Sequence, residues 1–392
     1  MTRIIGLVGD RRLIGGFAAG HPPIIRDVER LRPLVPPSLL TGRRAWGGLG
    51  ARVLAGLGLL LLLVAAPAMR GGAGFGFDFA CYYDAAARFV AGEGLYLART
   101  LEGPFIHGGP GTYVYAPPLA VALAPFTALS FSDATMIWYF ARILMLVLAC
   151  GLMPVRATIR FATFGVTALS ASLLSDLSLG NVNVPLMLAV VLGWRWLDRP
   201  AGAVALAATM AVRPQLAVVA AWWLLRRRWR LVAWAAASGA AVIVATLPLV
   251  GIGAYTDFLR LLRNIQIAGA PHNASLDALV RSGGLAEPLA TAAFLAGATV
   301  ALGAIVASRR LDTDAAYVVV TSASLLLTPL LWPHYLVGLA LPAAFLAERG
   351  RPWGLALPLL TWLPLPALPF TALLAVVAPF LVPRRSPSEA RP

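Results

Sequence analysis

The sequence has no lysine, two cysteines, four histidines and 12% charged residues in a chain of 392. A soluble domain carries roughly 25% charged and about 45–50% apolar residues, whereas 59% of this chain is hydrophobic. The scarcity of charge excludes both a single soluble domain and a disordered chain. The mean hydropathy of +0.78 indicates a protein that meets lipid along most of its length.

Cysteine and histidine are too sparse for a disulfide framework or a metal site. Cys81 and Cys150 form no CxxC pair, and we interpret them as two unrelated thiols. No two of the four histidines have a ligand spacing. The sequence therefore predicts neither a metal nor another cofactor.

The positive charge is carried entirely by arginine, with 32 basic against 17 acidic residues and a net charge of +15. Such a charge is typical of nucleic-acid-binding proteins. Here, however, the arginines lie between apolar runs and do not form one basic face. We expect no nucleic-acid partner, and we interpret the arginines as markers of membrane topology.

The N-terminal segment, residues 1–52, contains nine arginines and three acidic residues but no signal-peptide core. It is predicted to be a cytoplasmic tail with a short interfacial helix around residues 24–34. The arginines before a first span at 53–69 place residues 70–132 outside, as a first extracytoplasmic loop.

The apolar piece 117–130 leaves two topologies open. Its fourteen residues give about 21 Å of helix, less than the ~30 Å of the hydrocarbon core. If it spans, Arg156 and Arg195 lie outside; if it only enters the outer leaflet, they lie inside. The second topology satisfies the charge rule at every short loop, provided that a helix break at Arg213-Pro214 divides residues 200–225.

The predicted fold is an all-α polytopic membrane protein with about 12 transmembrane helices within 53–383. A second extracytoplasmic loop covers 251–285, and 384–392 is a cytoplasmic C-terminal tail. The predicted spans are 53–69, 134–153, 158–176, 181–197, 200–212, 215–226, 229–250, 286–307, 314–332, 334–348, 352–367 and 369–383.

Asp78 is the first candidate for chemistry, because it lies among aromatic residues directly after the first span. A partly desolvated carboxylate becomes more basic, which suits a general base near neutral pH. The alternative is a structural aspartate that caps a helix beginning near Phe79.

Other polar candidates are predicted at the same face of the membrane. Tyr115 fits either an aromatic belt or a lipid-headgroup cleft. Asp176, Asn181 and Asn183 occupy a polar turn, where asparagine is also an ordinary turn residue.

Two cationic candidates also reach this face. Arg213 can bind a phosphate through two parallel hydrogen bonds, or its side chain can extend to the lipid headgroups. His334 can donate to a phosphate oxygen or bind a metal. The pair His272-Asn273 lies in the second loop.

One carboxylate near cationic groups has a specific chemical meaning. Hydrolysis of a glycoside normally needs two carboxylates, one of which protonates the leaving oxygen. Transfer of a sugar from a lipid phosphate needs one base for the acceptor, because the phosphate leaves without protonation.

The order of the motifs resembles glycosyltransferase family 87 over residues 53–348. Arg213-Pro214 is similar to that family's Lys-Pro, with arginine in place of lysine, and Tyr335 replaces the second histidine of its Ser-Pro-x-x-Trp-x-His-His element. The other resembling stretches are Asp78-Phe with Tyr83, Gly92 and Gly94; Tyr113-Val-Tyr115-Ala-Pro117-Pro118-Leu119; Gly180-Asn181-Val-Asn183; and Asn273-Ala-Ser275-Leu276.

The resemblance implies a GT-C type fold in a bacterial plasma membrane, with the active site on the extracytoplasmic face. It implies inverting transfer of mannose from polyprenyl-phosphate-mannose to a lipid-linked glycan of phosphatidylinositol mannoside or lipomannan type. By the same resemblance Asp78 is the base, and Arg213 and His334 hold the donor phosphate. The implied substrate-binding residues are Tyr83, Tyr115, Asp176, Asn181, Asn183, His272 and Asn273.

Two alternatives stay open. Another polyprenyl-phosphate sugar, such as arabinose or glucose, could be the donor. A transporter or lipid flippase would need access from both leaflets, whereas the polar candidates are predicted on one side only.

Overall fold

The structure is a computed structural model that describes residues 37–70, 72, 74–106, 111–267, 270 and 272–383. The chain divides into two units, Met1–Gly47 and Gly48–Pro392, and all of the candidate site residues lie in the second. The helix expected around residues 24–34 and the tail 384–392 lie outside the described residues.

Almost all of the regular structure is helical. The α-helices are α1 (Pro37–Arg70), α2 (Phe77–Val90), α3 (Ala98–Leu101), α4 (Pro117–Leu123), α5 (Phe131–Leu152), α6 (Ala157–Ala168), α7 (Ala171–Leu179), α8 (Asn183–Arg195), α9 (Pro200–Val212), α10 (Val218–Leu225), α11 (Trp229–Asn264), α12 (Leu276–Ser282), α13 (Glu287–Ala307), α14 (Thr313–Ala323), α15 (Ala340–Glu348) and α16 (Leu368–Val377). The 3₁₀ helices are Ala124–Ala128, Pro214–Ala217, Ser308–Arg310, Pro333–Leu339, Pro352–Trp362, Leu365–Ala367 and Ala378–Leu381.

Within the described residues, four helical stretches are long and apolar enough to cross a membrane: Gly47–Arg70, Phe131–Leu152, Trp229–Asn264 and Glu287–Arg310. A fifth candidate is the pair α6 and α7, which is bent by 65°. Large apolar side chains on these helices, such as Leu57, Leu144 and Leu302, are exposed, as expected of surfaces that face lipid. The expected number of about twelve is therefore not shown, although the helical membrane architecture is.

The helix break at Arg213-Pro214 is confirmed. Helix α9 ends at Val212, Arg213 has an extended backbone, and a 3₁₀ turn begins at Pro214. Proline lacks the backbone N–H and its ring clashes with the preceding turn, so the helix ends just before it. The apolar piece 117–130 likewise forms a short helix that continues as a 3₁₀ turn.

Several predicted C-terminal spans are wrong as continuous α-helices, including 334–348, which begins as the 3₁₀ helix Pro333–Leu339. Helix α14 ends at Ala323, well short of the expected residue 332. After it, the hydroxyl of Thr328 accepts from the Leu330 N–H and donates to the Leu330 carbonyl, which replaces helical hydrogen bonds with local ones. The segment predicted as 352–367 is largely a 3₁₀ helix with Pro358 inside it.

A small parallel bridge joins the two long polar segments of the chain. Strand β1 (Phe105–Ile106) pairs with β2 (Ile265–Gln266), and the Asn264 side chain donates to the Thr100 carbonyl at 3.1 Å. The ring of Tyr96 stacks on Phe258 with a centroid distance of 6.2 Å. The chain between Tyr96 and Ile106 is therefore attached to the end of α11 and the strand that follows it.

The buried residues form two clusters. The larger one fills the helical bundle, and the smaller one packs α2 against α4 and α5 through aromatic residues such as Phe79, Tyr82 and Trp138. Cys81 and Cys150 are buried free thiols, so the interpretation of two unrelated cysteines is confirmed.

Candidate functional site

The position of Asp78 is set by Gly76, which begins helix α2. Gly76 has φ 74°, a left-handed conformation that favours glycine, and an added Cβ would lie 2.7 Å from Cγ2 of Thr135. Its N–H donates to the Ser178 carbonyl at 2.8 Å. Asp78 lies in the first turn of the helix, and the residue before the helix makes no side-chain cap. The capping interpretation of Asp78 is therefore wrong.

The polar turn after α7 packs directly on this first turn. Gly180 ends α7 with φ 80°, and an added Cβ would lie 2.6 Å from Cβ of Phe79. The indole N–H of Trp138 donates to the Gly180 carbonyl at 2.8 Å. Because Gly180 has no side chain, the turn can pack closely on Phe79. The next residue, Asn181, therefore lies close to Asp78.

The side-chain amide of Asn181 is the centre of the site. Its Nδ2 donates to Oδ2 of Asp78 at 2.7 Å and lies 3.3 Å from Nε2 of His334. Its Oδ1 accepts from the Val182 N–H at 2.7 Å, from Nδ2 of Asn183 at 3.0 Å and from an Arg213 N–H at 3.1 Å. Since three donors meet Oδ1, the amide orientation is fixed with Nδ2 toward the carboxylate.

Arg213 lies opposite Asp78 across this amide. Its guanidinium donates to Oδ1 of both Asn181 and Asn183, and it lies 3.7 Å from the centroid of the Tyr335 ring. The side chain is 7% exposed, so the charge is held inside the protein. The extended backbone at the end of α9 is what directs Arg213 into the cluster.

An ion pair that the sequence reasoning missed lies beneath the polar turn. Arg142 on α5 donates to Oδ2 of Asp176 at 3.4 Å, to the Asp176 carbonyl at 2.6 Å and to the Leu177 carbonyl at 2.8 Å. Both side chains are fully buried. The other oxygen of Asp176 accepts from Asn183 at 2.7 Å. The sequence does contain a signal for this pair, because Arg142 lies inside the predicted span 134–153. A charge within a membrane span has a high cost in free energy unless it is paired.

The carboxyl of Asp78 is half-buried, and α2 is not one of the candidate spans. Burial raises its pKa above the ordinary value of 3.8, while the Asn181 hydrogen bond and the charges of Arg213 and Arg142 lower the pKa and offset part of this effect. Because the folded-state pKa is raised, ionisation of Asp78 opposes folding as the pH rises through that pKa.

The remaining candidates divide into those near the cluster and those away from it. Tyr115 accepts from the Tyr82 hydroxyl at 3.2 Å and lies close to Arg213. The Tyr83 hydroxyl instead donates to the Leu129 carbonyl at 2.7 Å. His272 is exposed in a turn with φ 57°.

Asn273 connects the second polar segment to the turn that carries His334. Its Nδ2 donates to the Pro329 carbonyl at 3.0 Å, and its Oδ1 accepts from the Leu331 N–H at 3.0 Å. The side chain is 7% exposed. These bonds tie residue 273 to the backbone just before Trp332 and His334.

A cleft begins at Arg213 and continues between apolar helices. It contains about 610 Å³ of empty space, including the part that opens to the surroundings. Arg213, Asn183 and Tyr335 lie on its polar side, and the apolar lining includes Leu186, Met187, Val190, Leu216, Leu325 and Leu341. The hydroxyl residues Thr321, Ser322 and Ser324 also line it, so an anionic group bound at Arg213 would lie beside both apolar and hydroxyl side chains. Among the described residues, no group of three histidine, cysteine or acidic side chains is placed to hold a metal.

The fold and the cluster define a multi-pass helical membrane protein with a polar site at one end of an apolar cleft. Residues 113–333, more than half of the chain, match the model of Glycosyltransferase family 87, and the chain belongs to that family. This is a GT-C membrane family, so the protein is a membrane glycosyltransferase with a lipid-linked donor and acceptor.

The matched segment includes Asn181 and Arg213, begins after Asp78 and ends directly before His334. No curated protein and no solved structure matches the chain.

Replacement of Arg142 by methionine is expected to destabilise the protein strongly. The change leaves the Asp176 carboxylate buried without its cationic partner, which costs roughly 3–5 kcal/mol of unfolding free energy. The double variant Arg142→Met, Asp176→Leu removes both charges and is expected to recover much of that loss. Thermal unfolding in detergent checks both variants, and equal stability of Arg142→Met and wild type would contradict the ion-pair role.

Proposed function

We propose that the protein is an inverting mannosyltransferase that uses polyprenyl-phosphate-mannose, with Asp78 as the general base. Asp78 takes the proton from an acceptor hydroxyl, and the oxygen forms a bond to the anomeric carbon. The bond from that carbon to the phosphate oxygen breaks, and its electron pair leaves with the polyprenyl phosphate. Attack opposite to the leaving group inverts the anomeric centre. The observation that carries this proposal is the Asn181 amide, which binds the Asp78 carboxylate at one end and the Arg213 guanidinium at the other.

The environments of the two carboxylates support transfer over hydrolysis. Asp176 is fully buried, paired with Arg142 and bonded by Asn183, so it cannot approach a substrate. Asp78 is half-buried and has one side-chain donor, Asn181, among the described residues. One usable carboxylate suffices when the leaving group is a phosphate, whereas hydrolysis of a glycoside normally uses two.

The donor phosphate binds at Arg213 in this proposal, with His334 beside it. The amide oxygens of Asn181 and Asn183 take two of the five N–H donors of the guanidinium, and Tyr115 is a further hydrogen-bond partner. In this proposal the N–H groups that remain bind phosphate oxygens. The leaving phosphate gains negative charge as the bond breaks, and a positioned arginine stabilises that charge. The polyprenyl chain occupies the apolar cleft that begins at Arg213.

The acceptor in this proposal is a lipid-linked glycan of phosphatidylinositol mannoside or lipomannan type. Tyr83, Tyr115, Asn183, His272 and Asn273 remain proposed substrate-binding residues with Asn181, whereas Asp176 supports the site from below because its carboxylate is buried and bonded by Arg142 and Asn183. Tyr115 is the best placed of the aromatic ones, because it lies close to Arg213. Arabinose and glucose linked to the same lipid are the alternative donors.

The variant Asp78→Asn is expected to insert and fold normally but to lose mannosyl transfer by roughly 10²–10⁴-fold, the usual contribution of a general base. The amide can still accept the Asn181 hydrogen bond, and loss of the ionisable carboxyl removes a group whose ionisation opposes folding. Transfer is measured with purified protein and a panel of polyprenyl-phosphate sugars.

Asp84→Asn is the matched control, since Asp84 is exposed on the same helix. We expect its transfer rate to equal that of the wild type. Full activity of Asp78→Asn would exclude Asp78 as the base. If the wild type prefers polyprenyl-phosphate-arabinose or polyprenyl-phosphate-glucose, then that sugar and not mannose is the donor sugar.

We expect the fall in transfer rate at low pH to follow the protonation of the Asp78 carboxylate. Transfer needs the ionised carboxylate, so the rate falls as the pH falls through a pKa that lies above the ordinary value of 3.8. Asn181→Ala removes a hydrogen bond that favours ionisation. We therefore expect this variant to move the acid limb of kcat/KM to higher pH.

The variant Asn183→Ala is the control that distinguishes a change in the pKa of Asp78 from a loss of the hydrogen bonds that hold Arg213. The amide of Asn183 bonds Asp176 and Arg213 but not Asp78, so this variant is expected to lower the rate and to leave the acid limb in place. An unshifted limb in Asn181→Ala would show that a group other than Asp78 controls it.

We also propose that the site faces the extracytoplasmic side of a bacterial plasma membrane, in a topology of about twelve membrane-crossing or re-entrant segments with both termini inside. The arginines at residues 226–230 then lie in the cytoplasm, as the positive-inside rule requires. Cytoplasmic tails at 1–52 and 384–392 belong to the same topology.

Single cysteines at Glu93 and Arg227 are expected to be labelled from opposite sides. Both residues are exposed, whereas the native Cys81 and Cys150 are buried and give little background. An impermeant maleimide applied to intact cells should label Glu93→Cys and leave Arg227→Cys unlabelled until the cells are opened. The reverse pattern would place the site in the cytoplasm.

A further inference from the structure

Tyr335 contacts both of the proposed phosphate ligands. The guanidinium carbon of Arg213 lies 3.7 Å from the centroid of its ring. The His334 ring packs against it edge to face at 5.2 Å, and the Trp332 ring does so at 5.9 Å. Tyr335 is 9% exposed and lines the cleft together with Arg213. The ring therefore lies inside the site and not on the lipid-facing surface.

The face of an aromatic ring constrains a guanidinium in a way that other apolar side chains do not. The ring attracts the cation through its quadrupole, and the planar guanidinium can stack upon it. The amide oxygens of Asn181 and Asn183 fix one side of the same guanidinium. Together the ring and the two amides hold the plane of Arg213, so that its remaining N–H donors have a set direction.

A lysine at residue 213 would not be held in this way, because an ammonium group is a compact charge without a plane. Arg213 and Tyr335 are both positions where the sequence departs from the pattern that it resembles, which has lysine and histidine there. In the structure these two departures are in direct contact.

We propose that Tyr335 is a positioning residue that acts through Arg213: its ring face orients the guanidinium for the phosphate of the lipid-linked donor. The inference rests on the proposed function, which places that phosphate at Arg213. The ring and not the hydroxyl carries the effect, because the contact is with the ring face.

A double-mutant cycle tests this coupling with a polyprenyl monophosphate as the probe. Binding to purified protein in detergent is measured for wild type, Tyr335→Leu, Arg213→Lys and the double variant. Loss of the ring in Tyr335→Leu is expected to weaken binding by about three- to thirtyfold, the range of a partly desolvated cation–π contact. In the Arg213→Lys background the same change is expected to have less than about a twofold effect, since the group that it orients is gone.

Two further variants separate positioning from general damage. Tyr335→Phe keeps the ring and should bind the probe as the wild type does. Tyr255→Leu is the matched control for removal of a tyrosine, since Tyr255 is half-buried and its hydroxyl pairs with Thr246. We expect this control to retain wild-type probe binding. In transfer assays Tyr335→Leu should raise the donor KM and leave the acceptor KM unchanged.

The outcomes distinguish the inference from the function on which it rests. If wild-type protein neither binds the probe nor transfers sugar from any polyprenyl-phosphate donor, the proposed function fails. If wild type binds the probe and Tyr335→Leu weakens binding equally in both backgrounds, or not at all, Tyr335 does not act through Arg213. A rise in both KM values would also overturn the inference, because it would indicate general disruption of the site.

Discussion

The geometry of the site depends on one side-chain amide. A primary amide has a donor end and an acceptor end, so it can face a carboxylate and a guanidinium at the same time. Asn181 does this between Asp78 and Arg213, and it is held by a backbone N–H and by Asn183. The two charged groups are thereby kept apart at a fixed separation and do not collapse into a direct ion pair. In the proposed mechanism, that separation lets Asp78 act on the acceptor while Arg213 binds the donor phosphate.

Below this amide, a buried ion pair supports the turn that presents it. Arg142 and Asp176 have no contact with solvent, and taking such charges out of water is costly even when they are paired. The pair also binds the backbone carbonyls of Asp176 and Leu177 and the side chain of Asn183. We interpret the pair as a device that fixes the conformation of the turn, since the guanidinium binds Asp176 and Leu177 in addition to the Trp138 carbonyl on its own helix.

Features of the structure that have a local cause in the sequence could be predicted. The break at Arg213-Pro214 followed from proline chemistry, and the charge and hydropathy patterns predicted a helical membrane protein. The end of α14 at Ala323 and the pairing of Arg142 with Asp176 could not be predicted in the same way. The first depends on side-chain hydrogen bonds of Thr328 and the second on a contact between segments far apart in sequence, and a hydropathy pattern records neither. The hydrogen bonds that join the candidate site residues therefore lie outside what the sequence pattern predicts.

The parallel bridge between Phe105–Ile106 and Ile265–Gln266 has a mechanical consequence. It fastens the segment after α2 to the segment after α11, and the Asn264 bond to the Thr100 carbonyl reinforces the attachment. Neither segment can swing outward alone without breaking backbone hydrogen bonds. A change in the length of either segment would therefore strain this pairing, and the position of one segment constrains the position of the other.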